Sequence, residues 1–282
     1  MGEKTRQIAR AKVNLTLHVG ALRGDGYHAV DSLVVFANIG DDLVFEPASE
    51  TKLSIRGADD LPTDGRNLVL QTMTMIDAAP HHIELIKNLP VSAGLGGGSA
   101  NAAAVLRQFA SELSNDVLAF NLGADIPVCR DSHTAMMRGI GEDVTPLPGI
   151  GQLSAVLVNP GVAVSTGAVF KAMDSATRSK APRPNARSGG LLARALAGTN
   201  DMQGFAIRQA PIINDVLRAL SQQTGCELAR MSGSGATCFG IFRSDAQAAA
   251  AAKAISADQK NWWVRACRLG DLSGDMMGDV GS

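Results

Sequence analysis

The sequence predicts an α+β fold in two parts, and three features carry that expectation. Residues 11–19 alternate, with Val13, Leu15, Leu17 and Val19 set against Lys12, Asn14, Thr16 and His18; a period of two is a strand with one apolar face. Short apolar runs at 33–39, 42–45 and 52–55 follow, at spacings too tight for helical crossovers, which points to an antiparallel sheet. Pro146-Leu147-Pro148-Gly149 then breaks the pattern, and beyond it strands and helices alternate as two packed layers. The domain boundary is expected there, between 1–149 and 150–282.

The remaining elements can be justified in order. Leu68, Met75 and Ile76 among helix formers predict a helix over 67–78, and 83–86 reads as a strand. An alanine-rich stretch gives a helix over 99–113, and 116–122 gives a shorter one stopped by Gly123. Pro127 pushes Ile126 towards an extended backbone, so Asp125 is expected at a helix-to-extended change; on its own such an aspartate reads as a turn residue. Strands at 135–137 and 143–147 flank residues 138–142. In the second part, 153–158 and 262–267 read as strands, and 166–173, 191–197 and 212–222 as helices. Residues 175–190 lack apolar periodicity and read as an exposed loop. A second glycine-rich turn, Ser232-Gly233-Ser234-Gly235, leads into a strand, and Ser244-x-x-Gln247 matches a capping box before an alanine helix reaching 255.

Composition narrows the function. A chain of 282 residues that is 45% hydrophobic has ample core, and a formal charge of -1 argues against a bulk electrostatic nucleic-acid binder. Cys129, Cys226, Cys238 and Cys267 are dispersed, and His133 is the nearest histidine to any of them; no metal site is expected from that spacing. Isolated thiols in apolar company fit a reducing compartment. With no apolar signal core and no run able to span a bilayer, the expectation is a cytoplasmic protein.

The chemistry centres on Pro90-Val91-Ser92-Ala93-Gly94-Leu95-Gly96-Gly97-Gly98-Ser99-Ala100, with four glycines in five positions. Such a loop exposes backbone N–H groups and opens a helix N-terminus, so it suits phosphate. A Walker A loop is excluded, because no lysine follows Gly98. A dinucleotide fingerprint in the nearest frame ends on Ser99 instead of glycine, although Glu112 and Asp116 stand at about the spacing of a ribose acid. That oxidoreductase alternative stays open on the residues alone.

Ala11-Lys12-Val13-Asn14-Leu15, the loop from Pro90 to Ala104, and Ser232-Gly233-Ser234-Gly235-Ala236-Thr237 together resemble the three motifs of the GHMP kinases. Gly24-Asp25-Gly26-Tyr27-His28, Gly123-Ala124-Asp125-Ile126-Pro127 and Asn159-Pro160-Gly161 narrow the resemblance to a branch acting on a cytidine-linked alcohol, and the likeness runs from about 9 to 242. The resemblance implies a two-domain GHMP kinase-like fold, with an N-terminal mixed or antiparallel sheet plus helices and a smaller C-terminal α/β sandwich. It implies Lys12 and Asp125 as the catalytic pair, the 90–100 loop and Asn67 as the ATP site, and Asn14, Tyr27, His28 and Phe170 as substrate contacts, with Phe170 on the other face of the cytosine. ATP with Mg²⁺ and a cytidine diphosphate methylerythritol substrate follow from it, with no nucleic acid or membrane partner. Asp125 would accept the hydroxyl proton while Lys12 stabilises charge on the reacting oxygens. Another small-molecule kinase of the family, or a non-catalytic nucleotide-binding relative, are the alternatives. The chain departs from the family at Val34, where some relatives carry a pocket aromatic, at the short segment 78–82 before the loop strand, and at Ser92-Ala93, where other members have Gly-Gly.

Overall fold

The computed structural model describes residues 3–109, 112–174 and 182–272. The chain forms β1 (Thr5–Asn14), β2 (His18–Leu22), β3 (His28–Pro47), β4 (Lys52–Arg56), α1 (Leu68–Met75), β5 (His81–Ile86), α2 (Gly97–Phe109), α3 (Asn115–Asn121), α4 (Ile126–Asp131), β6 (Ala135–Gly139) and β7 (Asp143–Pro146). It continues through β8 (Gln152–Asn159), α5 (Thr166–Asp174), α6 (Leu191–Ala197), α7 (Gln203–Gln209), α8 (Ile212–Ser221), β9 (Cys226–Met231), β10 (Cys238–Phe242), α9 (Asp245–Asp258) and β11 (Trp263–Gly270).

Strand β3 is the axis of one continuous sheet in the order β4-β5-β3-β11-β8-β10-β9, and it also pairs with β1, β2 and β6. It is a single long strand, where the sequence suggested two runs broken near residue 40. Asp41 explains the continuity: its side chain is fully buried, pairs with Lys87, and accepts hydrogen bonds from the Asn88 and Leu89 N–H groups at 2.9 Å. Asp41 thereby anchors the segment feeding the glycine loop. Strand β3 buries both faces: Val34 and Phe36 enter one cluster with α2 and α4, while Leu33, Val35 and Ala37 enter another with β8 and β10. A third cluster fills the space between β8, β10 and helices α5, α7, α8 and α9.

Several expectations change. The sheet is mixed, as the resemblance allowed, and not antiparallel throughout as the strand spacing alone suggested, because β4 runs parallel to β5 and α1 makes the crossover. The 11–19 run splits into β1 and β2: the Leu15 and Thr16 N–H groups both turn to the Leu33 carbonyl, and Leu17 pairs with residues 199–201. Ile126 is helical rather than extended, since Pro127 lies in the first turn of α4, where its missing N–H costs nothing. Helix α7 was not legible in the sequence. Of the 99–113 helix, residues 110–111 lie outside the described ones, as do 175–181 of the expected loop. The described part of that loop is partly buried: Asn185 donates to the Asp31 carboxylate at 2.7 Å. Only half of the capping box forms, for Ser244 Oγ accepts the Gln247 N–H while Gln247 Oε1 has no partner among the described residues.

The polar face of the first strand run meets three different fates, all buried. Lys12 and Asn14 turn to a cleft, Thr16 accepts the Leu33 N–H at 2.9 Å, and His18 is enclosed by 183 and 199. His18 Nδ1 lies 2.6 Å from the Arg183 carbonyl, so it donates, and Nε2 accepts from the Thr199 N–H and the Arg183 guanidinium. Burial first, and Arg183's charge after it, lower the imidazole below its ordinary 6.5, against raising contributions from the Arg183 carbonyl, Asp201 and Asp31. A histidine with a lowered folded value supplies stability that is present above 6.5 and lost as pH falls through that lowered value. Chemical denaturation of the protein and of His18→Gln across mildly acidic pH checks this: the parent's stability should fall more steeply below 6.5 than the variant's.

Candidate active site

A cleft of about 1200 Å³ opens where the glycine loop, β1, α1, α5 and the 232–235 turn converge. Its floor is Lys12, which is 3% exposed. The Lys12 backbone N–H donates to the Leu95 carbonyl at 2.9 Å, and its Nζ donates to Asp125 Oδ1 at 2.8 Å and to Asn14 Oδ1 at 3.0 Å. Asn14 Nδ2 in turn donates to Ser32 Oγ, and Ser32 to the Thr16 carbonyl. The lysine thus sits at the end of a fixed hydrogen-bond chain, and little freedom remains to its ammonium. Asp125 precedes α4 yet makes no capping bond with its side chain, so the turn-residue reading gives way to the contact with Lys12. Among the described residues its Oδ2 receives no hydrogen bond.

The glycine loop is shaped by backbone positions that only small residues tolerate. Gly94 and Gly96 have φ of 72° and 62°. A Cβ on Gly94 would lie 2.5 Å from the Ser232 carbonyl, and one on Gly96 would lie 3.1 Å from the Lys12 side chain. Ser92 also takes φ 52°, so the departure from Gly-Gly leaves a non-glycine residue in the left-handed region. The second glycine turn clasps the first: Ser232 Oγ donates to the Gly94 carbonyl and accepts the Asn14 N–H, and the Thr237 N–H donates to the Ala93 carbonyl. Asn159, from the Asn-Pro-Gly motif, ties in behind by donating to Thr237 Oγ1 at 2.9 Å.

Every expected site residue except Leu95 and Ala100 lines the cleft; those two are buried in the clusters behind the loop. Asn67 caps α1, accepting the Val69 N–H and donating to the Pro62 carbonyl, so its amide is engaged with its own chain. At the far end, the His28 ring stacks on Phe170 with centroids 4.4 Å apart and planes 16° apart. That is one stacking distance, so a base does not fit between these two rings as they stand and would have to lie elsewhere against Tyr27, which is 40% exposed. Val34 is buried in the core and leaves the cleft wall unaffected.

Sequence reasoning missed Lys87, Asn101 and Asp174, all in the cleft wall. Asn101 follows the loop by one helical turn, and its Oδ1 is buried without a partner among the described residues, the mark of a group waiting for a donor. Cys129, one turn after Asp125, contributes no nucleophile: burial chiefly, and Asp125 beside it, push its thiol up to about 12.

Two family models match, the GHMP kinase N-terminal domain over residues 67–129 and the GHMP kinase C-terminal domain over 180–261. A 4-diphosphocytidyl-2-C-methyl-D-erythritol kinase of Cereibacter sphaeroides is 45% identical over 277 residues, covering 94% of this chain and 99% of its own. One of Dinoroseobacter shibae is 47% identical over 266 residues, covering 91% and 92%. A crystal structure of a 4-(cytidine 5′-diphospho)-2C-methyl-D-erythritol kinase superposes with a TM-score of 0.78 at 31% identity, over 95% of this chain and all of the other. The oxidoreductase alternative falls with these matches and with the sheet, in which β4 and β5 are the only parallel pair among the described strands. The chain belongs to the 4-diphosphocytidyl-2-C-methyl-D-erythritol kinase family of the GHMP kinases.

Proposed function

We propose that this protein transfers the γ-phosphoryl group of ATP to the 2-hydroxyl of 4-diphosphocytidyl-2-C-methyl-D-erythritol, a step of the non-mevalonate route to isoprenoid precursors, in the cytoplasm. The observation that carries the reading is the Lys12–Asp125 contact of 2.8 Å, made inside the same cleft as the glycine loop and the Tyr27, His28 and Phe170 wall. It also favours an enzyme over a non-catalytic nucleotide binder.

The N–H groups of the 94–99 stretch and the start of α2 hold the nucleotide's phosphates. Asp125 accepts the proton of the acceptor hydroxyl as transfer proceeds, and Lys12 offsets charge on the reacting oxygens. Since α4 places Asp125 and β1 places Lys12, the acceptor is held between two rigid elements, which aligns it with the phosphoryl group. Asn14 orients Lys12 and borders the sugar alcohol, while Tyr27, His28 and Phe170 hold the cytidyl end. Asn67 and the loop from Pro90 border the nucleotide base. Bound Mg²⁺ would offset the negative charge of the phosphates during transfer. Among the described residues no group of three or more His, Cys, Asp or Glu is arranged for a metal, so such an ion would rest mainly on the nucleotide, with Asp125 and the Ser99 hydroxyl as oxygen donors in the cleft wall.

An ATP-consumption assay with the cytidyl substrate beside mevalonate and homoserine tests the reading. Turnover of the cytidyl substrate alone supports it, and preference for either of the others overturns it in favour of another branch of the family. Asp125→Asn should lower kcat by roughly 10²–10⁴-fold with ATP binding retained. Lys12→Ala should also lower kcat, and the double variant should be far less impaired than the product of the singles, because both act on one transfer. Near-normal turnover in Asp125→Asn would defeat the mechanism. In Gly96→Val the branched side chain enters space beside Lys12 at a positive φ; calorimetric titration should show ATP binding lost while circular dichroism shows the fold kept.

A further inference from the structure

We infer that Asp174 is a positioning residue that fixes the tautomer of His28 and so selects a cytosine over a uracil base. The inference rests on the reading of this cleft as a cytidyl site. Phe170 and Asp174 stand one turn apart on the same face of α5, and His28, the first residue of β3, touches both. Its ring lies flat on Phe170 at 4.4 Å, and its Nε2 lies 2.8 Å from Asp174 Oδ1. The stack fixes the ring plane, and the carboxylate fixes its rotation about that plane.

A carboxylate only accepts, so Nε2 must carry the proton. In the neutral ring Nδ1 is then left as an acceptor. Among the described residues no donor reaches Nδ1. The His28 side chain is 7% exposed and that of Asp174 31%, and both residues line the cleft. The wall at the cytidyl end therefore offers an acceptor of fixed direction. Cytosine presents an amino group at its 4-position and can donate to Nδ1; uracil presents a carbonyl there, whose lone pairs would face those of Nδ1. Without Asp174 the ring could exchange tautomers and turn a donor to the carbonyl, so discrimination would fall. A site built around one hydrogen-bond polarity rejects the base of the opposite polarity because a buried group is left unpaired.

The test compares kcat/KM for 4-diphosphocytidyl- and 4-diphosphouridyl-2-C-methyl-D-erythritol in the parent, Asp174→Leu, Asp174→Ala and Asp174→Glu proteins. In the leucine and alanine variants the KM for the cytidyl substrate should rise about tenfold, the KM for ATP and kcat should stay near the parent's, and the cytidyl preference should fall by a similar factor. Asp174→Glu should recover part of it. An unchanged preference, or an equal loss on both substrates, would mean that Asp174 merely props α5 and would overturn the inference. Independently of turnover, ¹⁵N–¹H correlation spectra of the His28 ring in the parent should show a protonated Nε2 and a bare Nδ1. A protonated Nδ1 with a bare Nε2 would overturn it. A parent that phosphorylates neither nucleotidyl substrate would defeat the reading of the function, while the spectra would still decide the tautomer.

Discussion

The site depends on one buried lysine. Lys12 bonds to the glycine loop through its backbone, packs its methylenes against Gly96, and directs its ammonium to Asp125 and Asn14. A lysine this enclosed is stable only if its charge is met and its remaining protons are bonded. Breaking a buried pair by removing one partner costs on the order of 3–5 kcal/mol; Asp125 is 33% exposed at its side chain, so solvent screening brings this pair below that figure. The constraint works in both directions. The loop must leave room for the lysine, which requires glycine at 96, and α4 must begin where its first carboxylate can reach Nζ.

The two glycine-rich segments are parts of one device. Ser232 receives the Asn14 N–H and gives its own proton to the Gly94 carbonyl, joining β1, the phosphate loop and the β9–β10 turn at one hydroxyl. The approach is so close that neither Gly94 nor Gly233 has room for a Cβ. Behind them, Arg230 donates to the carbonyls of Leu15, Ala195 and Gly198; burial, with Arg183's charge adding to it, lowers its guanidinium to about 10. Three carbonyls near the ends of β1 and α6 are satisfied by one planar group, which suits arginine and not lysine. The turn that grips the phosphate loop is thereby rooted in the second half of the chain.

How much of this was legible follows from range. The loop, its flanking strand and helix, and Lys12 on an alternating strand are local patterns, and they were readable. The assignment of Asp125 came from family resemblance, because nothing in the local sequence separates it from a turn aspartate; the deciding contact spans 113 residues. Asp41 gave no signal in the sequence for the same reason: buried acids become visible only when the distant cation and N–H groups that satisfy them are in place. The mixed sheet agrees with what the family resemblance implied, but the strand spacing alone pointed to antiparallel pairing, because nothing local marks α1 as the crossover that lets β4 and β5 run parallel. Helix α7 lies between Asn200, which bonds into the 231–233 backbone, and the Ala210-Pro211 turn. Its start is set by those tertiary bonds, since no side chain caps it.

The polar face of the first strand run shows why such a pattern is ambiguous. Four polar residues in alternation would ordinarily be a solvated surface, yet here each is buried and each is answered by a different part of the chain. Lys12 and Asn14 are answered by Asp125 and Ser32, Thr16 by the backbone of β3, and His18 by Arg183 and Thr199. A continuous strand could not do this, because its side chains would share one plane. The break between β1 and β2 lets the chain turn after Asn14: residues before it serve the cleft, and residues after it fasten the 183–201 segment over the second half. One short alternating run thereby supplies both the charge at the reacting end of the cleft and the fastening of the 183–201 segment.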